Sequence, residues 1–195
     1  MRLFVAVRPP PRIAATAASV VAEAVNASGA SELRLTAVEQ LHLTLAFYGE
    51  VRERAVPELA ARLRRVAARS APMTVALRGA GAFPRARAAQ VLWLGVEEYG
   101  DGDGLRRVAA RSAAAGRRAG VDVEQRGWRG HVTVARARRP TDVVPIVTLL
   151  DQWAGEPWQA REMELVRSHL GAQVRHEVLE RYPLGARSGS GHHQA

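Results

Sequence analysis

The chain writes one five-residue phrase twice, as His42-Leu43-Thr44-Leu45-Ala46 and His131-Val132-Thr133-Val134-Ala135. Alternate side chains of an extended strand share a face, so each copy turns its His and Thr one way and its aliphatic residues the other. Two copies supply two imidazoles and two hydroxyls, a set suited to acid–base chemistry around one phosphate. With only 6 histidines in 195 residues, accident is a poor explanation for two of them sharing the same Thr partner and aliphatic neighbours.

The repeat extends beyond the phrase. The two histidines are 131 − 42 = 89 residues apart, and at that offset Leu3-Phe4-Val5-Ala6-Val7 falls without a gap on Leu92-Trp93-Leu94-Gly95-Val96. The segment from Glu53 to Ser70, with Val56, Leu59, Leu63 and Val66 at helical spacing, lands on the segment holding Ile146, Leu149 and Leu150. Met73 to Leu77 meets Met163 to Arg167 within about one residue. We therefore expect two copies of strand, helix, His-strand, helix, strand, related by a pseudo-twofold axis that brings the His-strands together.

The remaining segments fit one domain of two lobes over residues 1–184. Ile13, Ala17, Val20, Val21 and Val25 predict a helix over Pro10 to Asn26, stopped at Asn26-Ala27-Ser28-Gly29. Gly79 to Gln90 reads as a loop between the halves, carrying Phe83, Arg85 and Arg87. A helix is expected from about Leu105 to Arg118, with Asp101 and Asp103 near its N-terminus, where negative charge is favourable. Arg161 to Ser168 and Val174 to Tyr182 read as a strand pair turning at Gly171. Residues 185–195, dominated by Gly, Ser, His and Gln, read as a disordered tail.

Composition narrows the setting. At 47% hydrophobic, a chain of this length can bury a sizeable core. The absence of Cys excludes disulfides and thiolate metal sites. No stretch approaches the roughly 20 apolar residues that span a bilayer, and Met1-Arg2-Leu3-Phe4 reaches Pro9-Pro10-Pro11 too soon for a signal peptide. A cytoplasmic protein with no membrane association is expected. Net charge is +9, and all 28 basic residues are Arg. A positive surface attracts RNA or another polyanion through its phosphates, although Arg in place of Lys is also what a GC-rich coding sequence produces.

These residues resemble the two-histidine phosphoesterases, specifically the LigT-like RNA 2′,3′-cyclic phosphodiesterases once described as 2′-5′ RNA ligases. The resemblance runs from Met1 to about Leu184 in several blocks. They are Arg2 to Val7, Leu41 to Glu50, Gly81-Ala82-Phe83-Pro84, Val91 to Val96, Gly130 to Arg136, and Glu177-Val178-Leu179. Two departures stand out: Tyr48, where the family often has an aliphatic residue, and Gly130, where it usually has Pro. The resemblance implies an α+β, bilobal, pseudo-twofold fold, with two mainly antiparallel sheets lining a central cleft, helices outside, and neither metal nor cofactor.

It also implies roles. His42 and His131 would be the catalytic acid and base in hydrolysis of RNA 2′,3′-cyclic phosphate ends to 2′-phosphomonoesters, with weak reverse ligation as a side reaction. Thr44 and Thr133 would bind the non-bridging oxygens. The offset sets Phe47 opposite Arg136, so Arg136 is a candidate phosphate contact and Phe47 a candidate base-stacking residue, against a surface ion pair and a core aromatic respectively. His169 and His176 lack a Thr partner and are expected at ordinary surface or strand positions, while His192 and His193 fall in the tail. The expected partner is RNA with a cyclic phosphate end, acted on by a monomer without an obligate protein partner. The alternatives are a relative acting on small cyclic nucleotides, an ADP-ribose cyclic phosphate or 2′-5′ oligonucleotides, and a noncatalytic RNA-binding module.

Overall fold

The computed structural model describes residues 1–100, 102–123, 127–171 and 174–185. The first half contains strand β1 (Arg2–Val7), helix α1 (Pro11–Ser28), β2 (Leu33–Leu35), β3 (Leu43–Glu50), α2 (Val56–Ala68) and β4 (Met73–Phe83). The second contains β5 (Ala89–Tyr99), α3 (Gly104–Arg118), β6 (His131–Thr141), α4 (Val144–Leu150), β7 (Trp158–Ala160), β8 (Glu162–His169) and β9 (Arg175–Pro183). The doubled order of strand, helix, His-strand, helix, strand is β1-α1-β3-α2-β4 followed by β5-α3-β6-α4-β8. The expected tail lies outside the described residues apart from Gly185.

Local chemistry explains the element ends. Pro11 opens α1, where a missing N–H costs nothing, and Gly29 closes it at φ 68°. Helix α2 turns Leu59, Leu63 and Ala67 into the core at helical spacing. At the start of α3 the capping carboxylate is Glu98, which accepts from the Gly104 and Leu105 backbone N–H groups at 2.9 Å each. Asp103 occupies the capping position without a side-chain cap bond and instead lies 3.7 Å from Arg106; Asp101 is outside the described residues. The expected loop Gly79–Gln90 is shorter than its composition suggests. Residues 79–83 continue β4, and the turn to β5 passes through the cis Phe83–Pro84 bond.

The strands run in the order β7-β4-β5-β6-β3-β1-β8-β9, with β2 alongside β6. Their pairings are antiparallel, and the expected two sheets are joined into one nine-stranded sheet. The joint is a single pair, Leu43 with Val132. Because 132 − 43 = 89, that pair maps onto itself when the halves are exchanged, so the pseudo-twofold axis passes through it. The halves also trade strands: β4 pairs with β5 and β8 with β1. Each lobe thus takes its third strand from the other half, which ties the lobes together.

One deviation from regular pairing sets the faces. Thr44 lies opposite Ala6 and Ala46 opposite Val5, leaving Leu45 as an extra residue in β3. In β6, Thr133 lies opposite Trp93 and Ala135 opposite Leu92, leaving Val134 as the extra residue at the equivalent position. Such bulges let Leu45 and Ala46, and likewise Val134 and Ala135, all join the main core. They also restore Phe47 and Arg136 to the face of Thr44 and Thr133, from which strict alternation would exclude them. On that open face Phe4, Ala6 and Val166 form a small separate cluster against which Phe47 packs.

The halves are not perfect copies. Thr44 faces Ala6 whereas Thr133 faces Trp93, so β1 and β5 correspond at 93 − 6 = 87, against 89 for the His-strands. The gapless sequence match therefore hides a two-residue slide, which preserves the face because the side-chain period is two.

Tyr48 is a buried anchor for this arrangement. Its hydroxyl donates to the Ser112 carbonyl of α3 at 3.0 Å, and its ring lies where a Cβ on Gly116 would come within 2.7 Å of Cε1. Tyr48→Phe removes one buried hydrogen bond while keeping the ring, and is expected to cost about 1 kcal/mol in urea denaturation. A variant as stable as the parent would show that the hydroxyl contributes nothing. Among the described residues no helix is long and apolar enough to cross a membrane.

Candidate active site

His42 immediately precedes β3 and His131 begins β6, on either side of the axial Leu43–Val132 pair. Continuing that antiparallel register by one residue each way sets His42 across from Thr133 and His131 across from Thr44. The four residues of the two phrases are therefore interleaved, each histidine facing the threonine of the other half.

Each imidazole is held in the same way. His42 Nδ1 lies 2.6 Å from the Gln40 carbonyl and His131 Nδ1 2.8 Å from the Arg129 carbonyl, both two residues upstream. A carbonyl can only accept, so Nδ1 carries the hydrogen and Nε2 is left with its lone pair free. An aromatic ring flanks each: Phe4 stacks on His42 with centroids 4.8 Å apart, and Trp93 lies 6.0 Å from His131. Phe83, from the end of β4, meets His131 edge-on at 5.1 Å.

Burial dominates the electrostatics. It pushes His42 down to about 4, helped by His176, Arg8 and Arg136 and opposed by the Gln40 carbonyl. His131 is lowered in the same sense, first by burial and then by Arg129 and Arg136, with the Arg129 carbonyl opposing. Both rings are neutral at pH 7 in the free protein. An anion placed between them would reverse part of this shift, since negative charge favours an imidazolium.

Arg136 and Phe47 occupy equivalent places, and their environments differ. Arg136 is exposed and close enough to act on both histidines. Phe47 is half-buried beneath the Arg2 guanidinium, 4.9 Å from the ring centroid.

Three further groups adjoin the site. His176 of β9 packs edge-on against His42 and Phe4, both at 5.1 Å. Its Nδ1 is buried with no hydrogen-bond partner among the described residues. It is thus a member of the histidine cluster, whereas the His169 Nε2 lies at the surface within hydrogen-bond distance of Glu177, 2.7 Å away. Beside them Arg8 donates to Glu164 at 2.6 Å and Arg181 donates to the other oxygen at 3.0 Å. Glu164 is only 4% exposed, so its charge is held by these two guanidiniums. Near His131, Arg129 lies over Trp93 at 4.4 Å.

Comparisons with known proteins identify the family and the fold. The family model described as the 2'-5' RNA ligase superfamily matches residues 9–172. A protein of Archaeoglobus fulgidus named RNA 2',3'-cyclic phosphodiesterase is 31% identical over 171 residues, covering 87% of this chain and 92% of its own. A protein of the same name from Thermus thermophilus is 35% identical over 162 residues, covering 77% and 75%. Among solved structures, the Thermus thermophilus protein TT0787 superposes with a TM-score of 0.76 at 28% identity, over 95% of this chain and 98% of that one. Escherichia coli LigT complexed with 3'-AMP gives 0.70 at 25% identity over the same shares. With two His-x-Thr strands meeting on a pseudo-twofold axis and a family match over most of its length, the chain belongs to the 2'-5' RNA ligase superfamily, as a LigT-like two-histidine phosphoesterase.

Proposed function

We propose that the protein hydrolyses RNA 2′,3′-cyclic phosphate ends to 2′-phosphomonoesters, with His42 and His131 as the general acid–base pair. The observation that supports this reading is the axial Leu43–Val132 pair, whose register continued by one residue each way puts His42, His131, Thr44 and Thr133 on one face, with each imidazole Nδ1 held by a carbonyl. Ring opening requires water to attack phosphorus while the ribose 3′-oxygen departs on the opposite side. One imidazole takes the proton of the attacking water and the other gives a proton to the departing oxygen. The phosphate itself supplies the charge that keeps one ring protonated in the complex.

Thr44 and Thr133 donate hydroxyl hydrogen bonds to the non-bridging oxygens, where charge accumulates in the transition state. Arg136 holds the same phosphate from the basic side of the cleft, and its planar fork suits paired hydrogen bonds. Phe47, whose ring lies under Arg2, stacks on the terminal base. A 5′-hydroxyl that takes the place of the attacking water gives its proton to the same base while the same 3′-oxygen departs, forming a 2′-5′ phosphodiester, so weak 2′-5′ ligation is a side reaction of the same site. The relatives' name and the complex of LigT with 3'-AMP support an RNA end as substrate.

The test is a short oligonucleotide ending in 2′,3′-cyclic phosphate, with the position of the product monoester identified by phosphorus NMR. A 2′-phosphate is expected. A 3′-phosphate would reject the leaving-group assignment, and no turnover of this substrate would reject the function.

A further inference from the structure

The basic side of the cleft carries a second guanidinium that the proposed reaction does not use. Arg34 of β2 lies directly opposite Arg136 of β6. Its neighbour Leu33 is buried in the main core, so alternation turns Arg34 to the open face, where Arg136 also lies. Directly paired strand residues have Cα atoms about 5 Å apart, and like charges so placed repel. Both side chains are exposed, and among the described residues neither is within ion-pair distance of a carboxylate. The fold therefore maintains a repulsive pair that an external anion would relieve.

The Arg136 member of the pair lies on the strand that also carries His131 and Thr133. β6 leads away from His131 through Thr133 to Arg136, and Arg138 follows two residues later on the same face. β2 occupies the edge of β6 that β3 uses at Val132, and the Thr36 N–H donates to the Val134 carbonyl at 2.9 Å, fastening β2 beside the bulge. On the other side of the axis the equivalent place holds Phe47, and the edge of β3 is capped by the Trp128 indole donating to the Thr44 carbonyl at 3.0 Å. Beyond Thr133 the strand pair thus presents Arg34, Arg136 and Arg138 in one group, whereas the place equivalent to Arg136 holds Phe47 with Arg2 over its ring. A cyclic phosphate is a 3′-terminal group, so any further phosphate of the substrate lies 5′ of the terminal nucleotide.

Building on the function proposed above, we propose that Arg34 grips the phosphodiester 5′ of the terminal nucleotide, next to the cyclic phosphate held by Arg136. The site then prefers oligonucleotide ends to nucleoside 2′,3′-cyclic monophosphates, which lack that phosphate.

The test measures kcat/KM for an oligonucleotide and for the cyclic mononucleotide of the same terminal base, using the parent, Arg34→Gln and Arg34→Lys. The oligonucleotide-to-mononucleotide ratio is expected to fall about tenfold in Arg34→Gln and to recover partly in Arg34→Lys. The salt dependence of the oligonucleotide reaction should become shallower by about one unit of log–log slope. Arg34→Gln should melt no lower than the parent, since it relieves repulsion. A ratio that does not change, or equal losses on both substrates, would overturn the proposal. If the parent turns over neither substrate, the proposed function fails instead. Anisotropy with a fluorescent 3′-phosphorylated oligonucleotide then decides for Arg34: unchanged affinity in Arg34→Gln would overturn its role as well.

Discussion

Replacing either His42 or His131 with Ala is expected to lower turnover of an oligonucleotide 2′,3′-cyclic phosphate by about a hundredfold or more, the range for loss of a general acid or base. The two losses should not multiply. In the proposed mechanism both imidazoles act on one phosphorus in one transition state, so the double variant should be little worse than the weaker single variant. Because His42 is packed between Phe4 and His176, Ala leaves a hole there that affects folding as well as chemistry. His42→Gln keeps much of the volume and a hydrogen-bond donor for the Gln40 carbonyl, and should show the same catalytic loss with a native circular dichroism spectrum. Turnover by either single variant within threefold of the parent would remove that histidine from the proton-transfer scheme. If the parent shows no turnover while both Ala variants lose RNA affinity, the chain is a binding module rather than a catalyst.

The repeat was legible because it rests on local patterns: strand alternation around His42 and His131, helical spacing through Leu59 and Leu63, and a helix stop at Gly29. The sheet edges were not, because they depend on pairings between residues far apart in the chain. Leu45 and Val134 carry no signature of a bulge, being aliphatic residues in an aliphatic run, yet they decide which way Phe47 and Arg136 face. The exchange of β4 and β8 between lobes leaves no mark on either strand's own sequence. His176 lacks a Thr partner and reads as an ordinary strand residue; only the β8–β9 pairing of His176 with Ser168 brings it beside His42. The capping of α3 by Glu98 escaped for the same reason, since the carboxylate comes from the end of β5 while the nearby aspartates offer a simpler local explanation. Arg34 likewise meets Arg136 only through the β2–β6 pairing, across about a hundred residues of sequence.

Acidification is expected to weaken the fold in the pH range where catalysis is best. An imidazole in the unfolded chain titrates near 6.5, whereas His42 in the folded protein is held down to about 4 by burial. Between these values the unfolded chain binds a proton that the native protein does not, so stability rises with pH across the window and is lost as pH falls. The contribution is fully present above about pH 6.5 and gone by about pH 4, a change on the order of 3 kcal/mol for this one residue. His131 and His176, lowered in the same direction, add to it with the same sign. Urea denaturation of the parent at pH 7 and pH 4.5, set against His42→Gln, isolates the His42 share, and an unchanged pH slope in the variant would exclude this residue as the cause. Catalysis looks the other way. The pH profile of kcat/KM reports the free protein, and an acid–base pair gives the same bell whichever ring plays which part. With both histidines depressed below their ordinary value, both limbs and therefore the optimum should lie below about pH 6.5. An optimum above neutrality would mean that at least one of the two protons belongs to a different group. In the proposed mechanism the same burial that lowers both imidazoles therefore sets the expected optimum where protonation has begun to loosen the fold.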